Sequence, residues 1–190
     1  SRHVRWATLD QAMRARDGSK GLVFSMRDTS GGVWEVPPGE AIAKRSKPPS
    51  GRSELQTCAR CHSRRSQVWP DYRFGRPIDD THQLALLDDG LYEANGLQKD
   101  EVFEYGSFLQ SRMHAAGVTC SDCHRPHGGE LKFPGNALCT QCHVPATYDA
   151  PTHHRHRTGS TGAACASCHM PERTYMVVDD RHDHSFRVPR

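Results

Sequence analysis

The cysteines of this chain have the spacing needed to attach a cofactor covalently. Its 190 residues contain 8 Cys, which form four pairs with two residues between partners: Cys58 and Cys61, Cys120 and Cys123, Cys139 and Cys142, Cys165 and Cys168. A histidine directly follows each pair: His62, His124, His143 and His169. This C-x-x-C-H pattern is the attachment signal for c-type haem, in which both thiols form thioethers to one porphyrin and the adjacent imidazole binds the iron. Because the four motifs use every cysteine, we predict four covalently bound haems c.

Three other uses of paired cysteines fit this sequence less well. Zinc ribbons also contain C-x-x-C pairs, but they do not require a histidine after each pair. A disulfide framework does not call for the same two-residue spacing four times. A thioredoxin-like redox motif needs a βαβ context, which is absent from the sequence. Haem attachment is therefore the favoured interpretation.

Nine further histidines are available as second axial ligands of the irons: His3, His82, His114, His127, His153, His154, His156, His182 and His184. Four six-coordinate irons would need four of them. With this many imidazoles, we expect bis-histidine coordination and low redox potentials rather than ligation by Met113, Met170 or Met176.

The positions of these histidines rank them as ligands. His114 lies six residues before Cys120, near the end of a predicted helix, and can lean over a neighbouring haem. His127 follows His124 by only three residues, too close to reach the far face of the same haem, so we predict that it binds a different iron. His82, in the long interval after the first motif, is the least certain of the candidates.

Two further groups of histidines flank the fourth motif. His153, His154 and His156 precede it, and we expect one of them, His153 or His156, to be a ligand and another to hydrogen-bond a haem propionate. His182 and His184 follow it in an irregular tail. Two residues apart in an extended segment, these two side chains face opposite ways, so only one of them is expected to bind iron.

The composition agrees with a fold built around haem. Only 35% of the residues are hydrophobic, below the roughly 45–50% apolar content of typical soluble domains, so the porphyrins would supply much of the core. The mild net charge of +3 gives no reason to expect nucleic acid as a partner, and no apolar run is long enough to cross a membrane. Haem is attached to such motifs outside the cytoplasm, so we expect a periplasmic or extracellular protein, with Ser1 a processed or truncated start.

Few regular elements are predicted. Residues 8–16 favour a short helix stopped by Gly18, residues 21–26 and 33–36 favour a hairpin, and residues 102–116 favour the longest helix, ended by Gly117. The predicted fold is mostly irregular, with short α-helices wrapped around a stack of four c-type haems and a small N-terminal β-hairpin. We divide the chain into an N-terminal cap, residues 1–52, and a tetrahaem domain, residues 53–190.

Several segments resemble a known family. They include Cys58-Ala-Arg-Cys-His-Ser-Arg-Arg, Asp80-Thr-His, Tyr105-Gly-Ser-Phe-Leu-Gln-Ser-Arg-Met-His, Gly117-Val-Thr-Cys-Ser-Asp-Cys-His-Arg-Pro-His, Gly135-Asn-Ala-Leu-Cys-Thr-Gln-Cys-His, His153-His-Arg-His, Cys165-Ala-Ser-Cys-His-Met-Pro and Asp183-His-Ser-Phe-Arg-Val-Pro. Together they resemble the multihaem cytochromes c that often carry tetratricopeptide repeats after the haem region. A looser similarity, around His114 and the Cys-His-Met-Pro element, extends to pentahaem nitrite reductase and the hydroxylamine oxidoreductase group.

The resemblance implies extracytoplasmic electron transfer, with His114, His127, one histidine of the 153–156 cluster and His184 as distal ligands. The chain also departs from its longer relatives. It has no tetratricopeptide repeats, and it lacks the haem motif that precedes the segment matching Ser1-Arg2-His3. Because that motif is missing, we expect this chain to be a fragment or a shortened version. In the longer relatives a histidine at the position of His3 is a distal ligand.

Two functions of different classes follow. The first is an electron carrier or conduit with closed coordination at every iron, exchanging electrons with other redox proteins or self-assembling into a polymer in which His3 binds a neighbouring copy's iron. The second is a reductase of a nitrogen or sulfur oxyanion at one open haem, which would need nearby proton donors and cations. All four motifs end in histidine, so the lysine-ligated active haem of nitrite reductase has no counterpart here, and the carrier is favoured. The spin state of the irons separates the two functions.

Overall fold

The fold, seen in a computed structural model, consists of short helices and two-stranded hairpins. The structure describes residues 2–26, 28–85, 87–126 and 128–189. The α-helices are α1 (Arg2–Ala7), α2 (Gln11–Arg16), α3 (Ser53–His62), α4 (Phe103–Leu109), α5 (Arg112–Ala115), α6 (Cys120–Cys123), α7 (Ala137–Thr140), α8 (Pro145–Tyr148), α9 (Pro151–His154) and α10 (Cys165–His169). Two 3₁₀ turns cover Ile78–Asp80 and Thr161–Ala163. No helix among these is long and apolar enough to cross a membrane.

The strands pair only as antiparallel hairpins. They are β1 (Trp34–Glu35), β2 (Lys44–Arg45), β3 (Arg65–Gln67), β4 (His82–Leu84), β5 (His124–Arg125), β6 (Glu130–Leu131), β7 (Glu172–Tyr175) and β8 (Asp179–His182). The pairs are β1 with β2, β3 with β4, β5 with β6 and β7 with β8. Isolated two-stranded hairpins are marginal in water, so these pairs depend on what packs against them.

The N-terminal region differs from the prediction in two ways. Its hairpin is formed by β1 and β2, with Trp34 opposite Arg45, whereas residues 21–26 form no strand. The helix predicted over residues 8–16 begins later, at Gln11, because the Asp10 side chain accepts a hydrogen bond from the Met13 amide at 2.8 Å and caps α2. An aspartate in this N-cap role starts a new helix rather than continuing the previous one.

The predicted long helix over residues 102–116 is also wrong as a single element. It is divided into α4 and α5, and Ser111 caps α5 by accepting a hydrogen bond from the amide of His114 at 3.0 Å. Gly117 ends the region as expected, at a φ of +96° that favours glycine. The longest helix of the described residues is α3, with 10 residues.

The apolar core lies between α3 and α4. It comprises Leu55, Ala59, Ile78, Tyr105 and Phe108, all buried. Beyond Phe108, the buried apolar side chains of the described residues are Ala163 and Tyr175. The haem stack that we predict to complete this part of the chain remains a prediction.

The N-terminal region is joined to the third C-x-x-C-H motif by backbone pairing. The amide of Ala43 donates to the carbonyl of Cys142 at 2.8 Å, and the amide of Val144 donates to the carbonyl of Ala41 at 2.9 Å. These bonds hold both sides of His143. The predicted boundary at residues 52/53 stays a prediction.

Candidate haem-binding site

Local helices position the motifs. The first motif closes α3 and the fourth forms α10, so one helical turn presents each of these cysteine pairs with its histidine. The second motif begins in α6, where Asp122 accepts hydrogen bonds from the amide and hydroxyl of Thr119 in a capping box, an arrangement that fixes a helix start. The third begins in α7. All eight thiols are free of disulfides and so are available for thioether bonds.

Thiols of different motifs contact one another. The Cys120 thiol donates a hydrogen bond to Cys58, which lowers the pKa of Cys58 and raises that of Cys120. A second contact of this kind joins Cys139 and Cys165. The first motif therefore adjoins the second, and the third adjoins the fourth, at the edges where the porphyrins would be attached.

Burial keeps several of these thiols protonated. It raises the pKa of Cys123 to about 11 and is the largest cause that raises the pKa of Cys139 to about 12. A reactive or metal-binding cysteine is instead a thiolate at neutral pH, usually in a positive environment. The environments of Cys123 and Cys139 therefore differ from that of a reactive cysteine.

Two histidines of the motifs face histidines that are distant in sequence. The rings of His124 and His184 have centres 6.3 Å apart and an interplanar angle of 25°. The rings of His169 and His153 have centres 6.1 Å apart and an angle of 10°. Two imidazoles that each place a ring nitrogen about 2 Å from one metal ion have centres about 6 Å apart. Both pairs therefore have a separation that fits a shared iron. His154 and His156 have the same separation, 6.3 Å, but neither belongs to a C-x-x-C-H motif, so the two pairs that include a motif histidine are the stronger candidates.

The hydrogen bonds of these rings leave the ligating nitrogen available. Nδ1 of His169 lies 2.8 Å from the carbonyl of Arg187, and Nδ1 of His184 lies 2.8 Å from the carbonyl of His182. Because a carbonyl only accepts, each Nδ1 carries the proton and each Nε2 has a free lone pair. Metal-bound histidines are typically held by such a bond from the other ring nitrogen.

His62 and His143 have other neighbours. Nδ1 of His62 lies 3.2 Å from a carboxylate oxygen of Glu104. The His143 ring meets the edge of Tyr148 with centres 5.2 Å apart, and Tyr148 contacts His153 in turn. Burial lowers the pKa of His143 and so favours the neutral imidazole that iron binds.

Three predicted ligands are not brought to a motif histidine by the described residues. His82 is buried, with Nδ1 2.8 Å from the Thr81 hydroxyl. Nε2 of His114 accepts a hydrogen bond from Arg52 at 3.0 Å, and burial followed by the charge of Arg52 lowers the pKa of His114. His127 lies outside the described residues.

Within the 153–156 cluster the structure separates His153 from the other two histidines. His153 faces the fourth motif, whereas the rings of His154 and His156 lie beside each other with centres 6.3 Å apart. The His156 amide donates to Nδ1 of His154 at 3.1 Å, so the proton of His154 is on Nε2, which is buried without a partner. A buried donor of this kind suits an anionic group, as expected for a histidine that hydrogen-bonds a haem propionate.

Sequence reasoning missed Glu104, Arg52 and Tyr148 as neighbours of the histidines. Each of these residues touches a histidine on another element, and no sequence motif predicts the contact. The contact between Glu104 and His62 spans 42 positions. A long-range pairing of this kind appears only after the helices have packed.

The residues present fit covalently bound haem. Free paired thiols, imidazoles held through Nδ1 at His169 and His184, and few buried apolar side chains beyond Phe108 are what an attached porphyrin requires. Groups of three or more metal-ligating side chains are absent from the described residues, and a haem iron needs only two such ligands from the protein.

Comparison with known proteins points to the same class. Residues 113–148 match the family model described as a doubled CXXCH motif, which spans the second and third motifs of this chain. No curated protein and no solved structure matches the chain. The doubled motif indicates a multihaem c-type cytochrome that binds haem covalently and takes part in electron transfer.

Proposed function

We propose that the chain is an extracytoplasmic four-haem cytochrome that carries electrons through bis-histidine irons. The observation that supports this most directly is the pairing of motif histidines with remote ones, His124 with His184 and His169 with His153. Each pair places two imidazole rings at a separation that fits two ligands of one metal ion. Closed coordination of this kind suits a carrier, because it leaves no position at which a substrate can bind.

Contacts within the protein would hold the ligating histidines in place. Backbone carbonyls at Arg187 and His182 hold the rings of His169 and His184 and set their tautomers. The pairing of residues 41–43 with Cys142 and Val144 holds the third motif. When bound, haem supplies a metal centre that takes up and releases one electron. For the irons of His62 and His143, the remaining candidates for the second ligand are His82, His114, His127 and His156, and in a polymer also His3 of a neighbouring copy.

The order of the motifs favours a continuous path. Cys58 contacts Cys120, Cys139 contacts Cys165, and Cys123 and Cys142 lie close enough to interact electrostatically. The attachment edges therefore follow one another from the first motif to the fourth. This arrangement suits a conduit between other redox proteins.

Self-assembly into a polymer is a further part of the proposal. His3 lies in α1, and its Nδ1 is 2.8 Å from the carbonyl of Lys20, which leaves its Nε2 to bind a metal. A bond from His3 to the iron of a second copy would be a head-to-tail contact, and such contacts generate filaments when they do not close. Replacing His3 with Ala would then reduce both assembly size and the low-spin fraction.

The intact mass of the natively matured protein tests the haem count. The proposal predicts four haem additions per chain, and fewer than four would contradict it. The electron paramagnetic resonance spectrum of the same oxidised sample tests the coordination. Low-spin iron at every haem supports the carrier, whereas one high-spin, ligand-binding iron would favour a reductase of a nitrogen or sulfur oxyanion.

A further inference from the structure

The first motif differs from the others in the group that faces its histidine. Nδ1 of His62 lies 3.2 Å from Oε2 of Glu104, a charged acceptor. For His169 and His184 the corresponding acceptor is a neutral backbone carbonyl. Among the histidines of residues 2–26, 28–85, 87–126 and 128–189, His62 is the one whose ring contacts a carboxylate.

The contact is fixed by the packing of two helices. His62 ends α3 and Glu104 lies in the first turn of α4. The two helices share the apolar core, in which Ala59 and Tyr105 are buried. The Arg64 amide also donates to the carbonyl of Val102 at 3.2 Å and joins the end of α3 to the beginning of α4.

Glu104 is the more buried partner of this contact. Its side chain is 26% exposed and that of His62 is 64% exposed, and Glu104 lies in the first turn of α4, where the helix dipole favours a carboxylate. A partly buried charge acts on its neighbours with less screening than one in water. The hydrogen bond to His62 is therefore charge-assisted and stronger than one to a neutral carbonyl.

We propose that Glu104 is a positioning residue that lowers the potential of the haem of the first motif. The inference rests on the proposed function, because it requires His62 to bind iron through Nε2. A carboxylate on Nδ1–H raises the basicity of the imidazole, and a more basic ligand stabilises ferric iron over ferrous iron, which carries one more electron.

The test is a redox titration of the matured protein followed by nuclear magnetic resonance, with dithionite as reductant. Haem signals are assigned through their contacts to the cysteine β-protons of each motif. In the Glu104→Gln variant the amide oxygen still accepts from Nδ1–H but the charge is gone. The potential of the haem on Cys58 and Cys61 should rise, and it should rise more than that of any other haem.

Two further variants make the result decisive. Glu104→Asp keeps the charge and should retain a lower potential than Glu104→Gln. Asp100→Asn removes a charge that contacts Arg64 at 3.7 Å rather than His62, and should leave all four potentials in place. No shift in Glu104→Gln, an equal shift at all four haems, or loss of the first haem from that variant would each overturn the assignment.

The same samples separate this inference from the proposed function. Wild-type protein with four haems and only low-spin iron supports the proposed function whatever the potentials are. Fewer haems or a high-spin iron in the wild type would contradict the proposed function itself.

Discussion

The first motif and the last three are supported in different ways. The first closes α3, which packs against α4 through Leu55, Ala59 and Phe108. The last three lie in four- and five-residue helices with few buried apolar neighbours, and the second and fourth place their histidines opposite remote imidazoles. The comparison teaches that side-chain packing can position the first motif, and Cys120 of the second packs against the same core. Under the proposed function, the third and fourth motifs would gain their core from bound haem.

Removing haem altogether should separate the two regions most strongly. In a chain produced without haem attachment, we expect slow amide hydrogen exchange to persist in α3 and α4, because their apolar contacts do not involve the cofactor. Residues 137–169 should exchange freely. Hydrogen exchange followed by mass spectrometry measures both. Equal protection of the two regions in the apo chain would break the comparison.

Replacing His184 should affect one haem of the second region. In His184→Ala the imidazole opposite His124 is lost, so one of four low-spin irons should become high-spin. Electron paramagnetic resonance measures this fraction.

His182→Ala is the matched control. Nδ1 of His182 lies 2.8 Å from the carbonyl of Met170, and it is the ring of His184, not that of His182, that faces His124. The His182→Ala variant should therefore remain fully low-spin. A high-spin iron in His182→Ala with none in His184→Ala would reverse the assignment.

Ala59→Leu tests the packing of the first region. Ala59 is 0% exposed, and added carbon atoms in a filled core typically cost about 1–3 kcal/mol. We expect the free energy of unfolding of the matured protein to fall by about that amount in a denaturant titration. Ala115→Leu, on an exposed position of α5, should change it by less than about 0.5 kcal/mol. Equal effects of the two substitutions would argue against a core between α3 and α4.

The smallest expected effect appears at alkaline pH. Burial raises the pKa of Tyr105 above its usual value of 10.0. Above pH 10 the unfolded chain therefore binds fewer protons at this position than the folded chain, so stability falls as the pH rises. Tyr105→Phe removes this group and should flatten that part of the curve of unfolding free energy against pH. An unchanged slope would show that Tyr105 does not contribute.

The sequence was informative where the signal was local. The four C-x-x-C-H motifs, the shortage of regular structure and the end of a helix at Gly117 are each determined by neighbouring residues. The predicted position of the N-terminal hairpin was wrong. Residues 21–26 and β2 are alternative partners for β1, and nothing in the sequence ranks one above the other. The long helix was wrong because apolar periodicity does not reveal the Ser111 cap.

Long-range contacts were harder to predict. The family resemblance implied His184 as a distal ligand, and the structure places its ring opposite His124. Spacing alone left the 153–156 cluster open, and the ring of His153 is the one that faces His169. The contact of Glu104 with His62 depends on how α3 and α4 pack, which no local pattern encodes.

The most direct test of the account is anomalous scattering at the iron edge from crystals of the matured protein. It predicts four iron peaks per chain, with one between the rings of His124 and His184 and another between those of His169 and His153. Fewer than four peaks, or irons bound by His124 and His169 with His184 and His153 turned away from them, would contradict it.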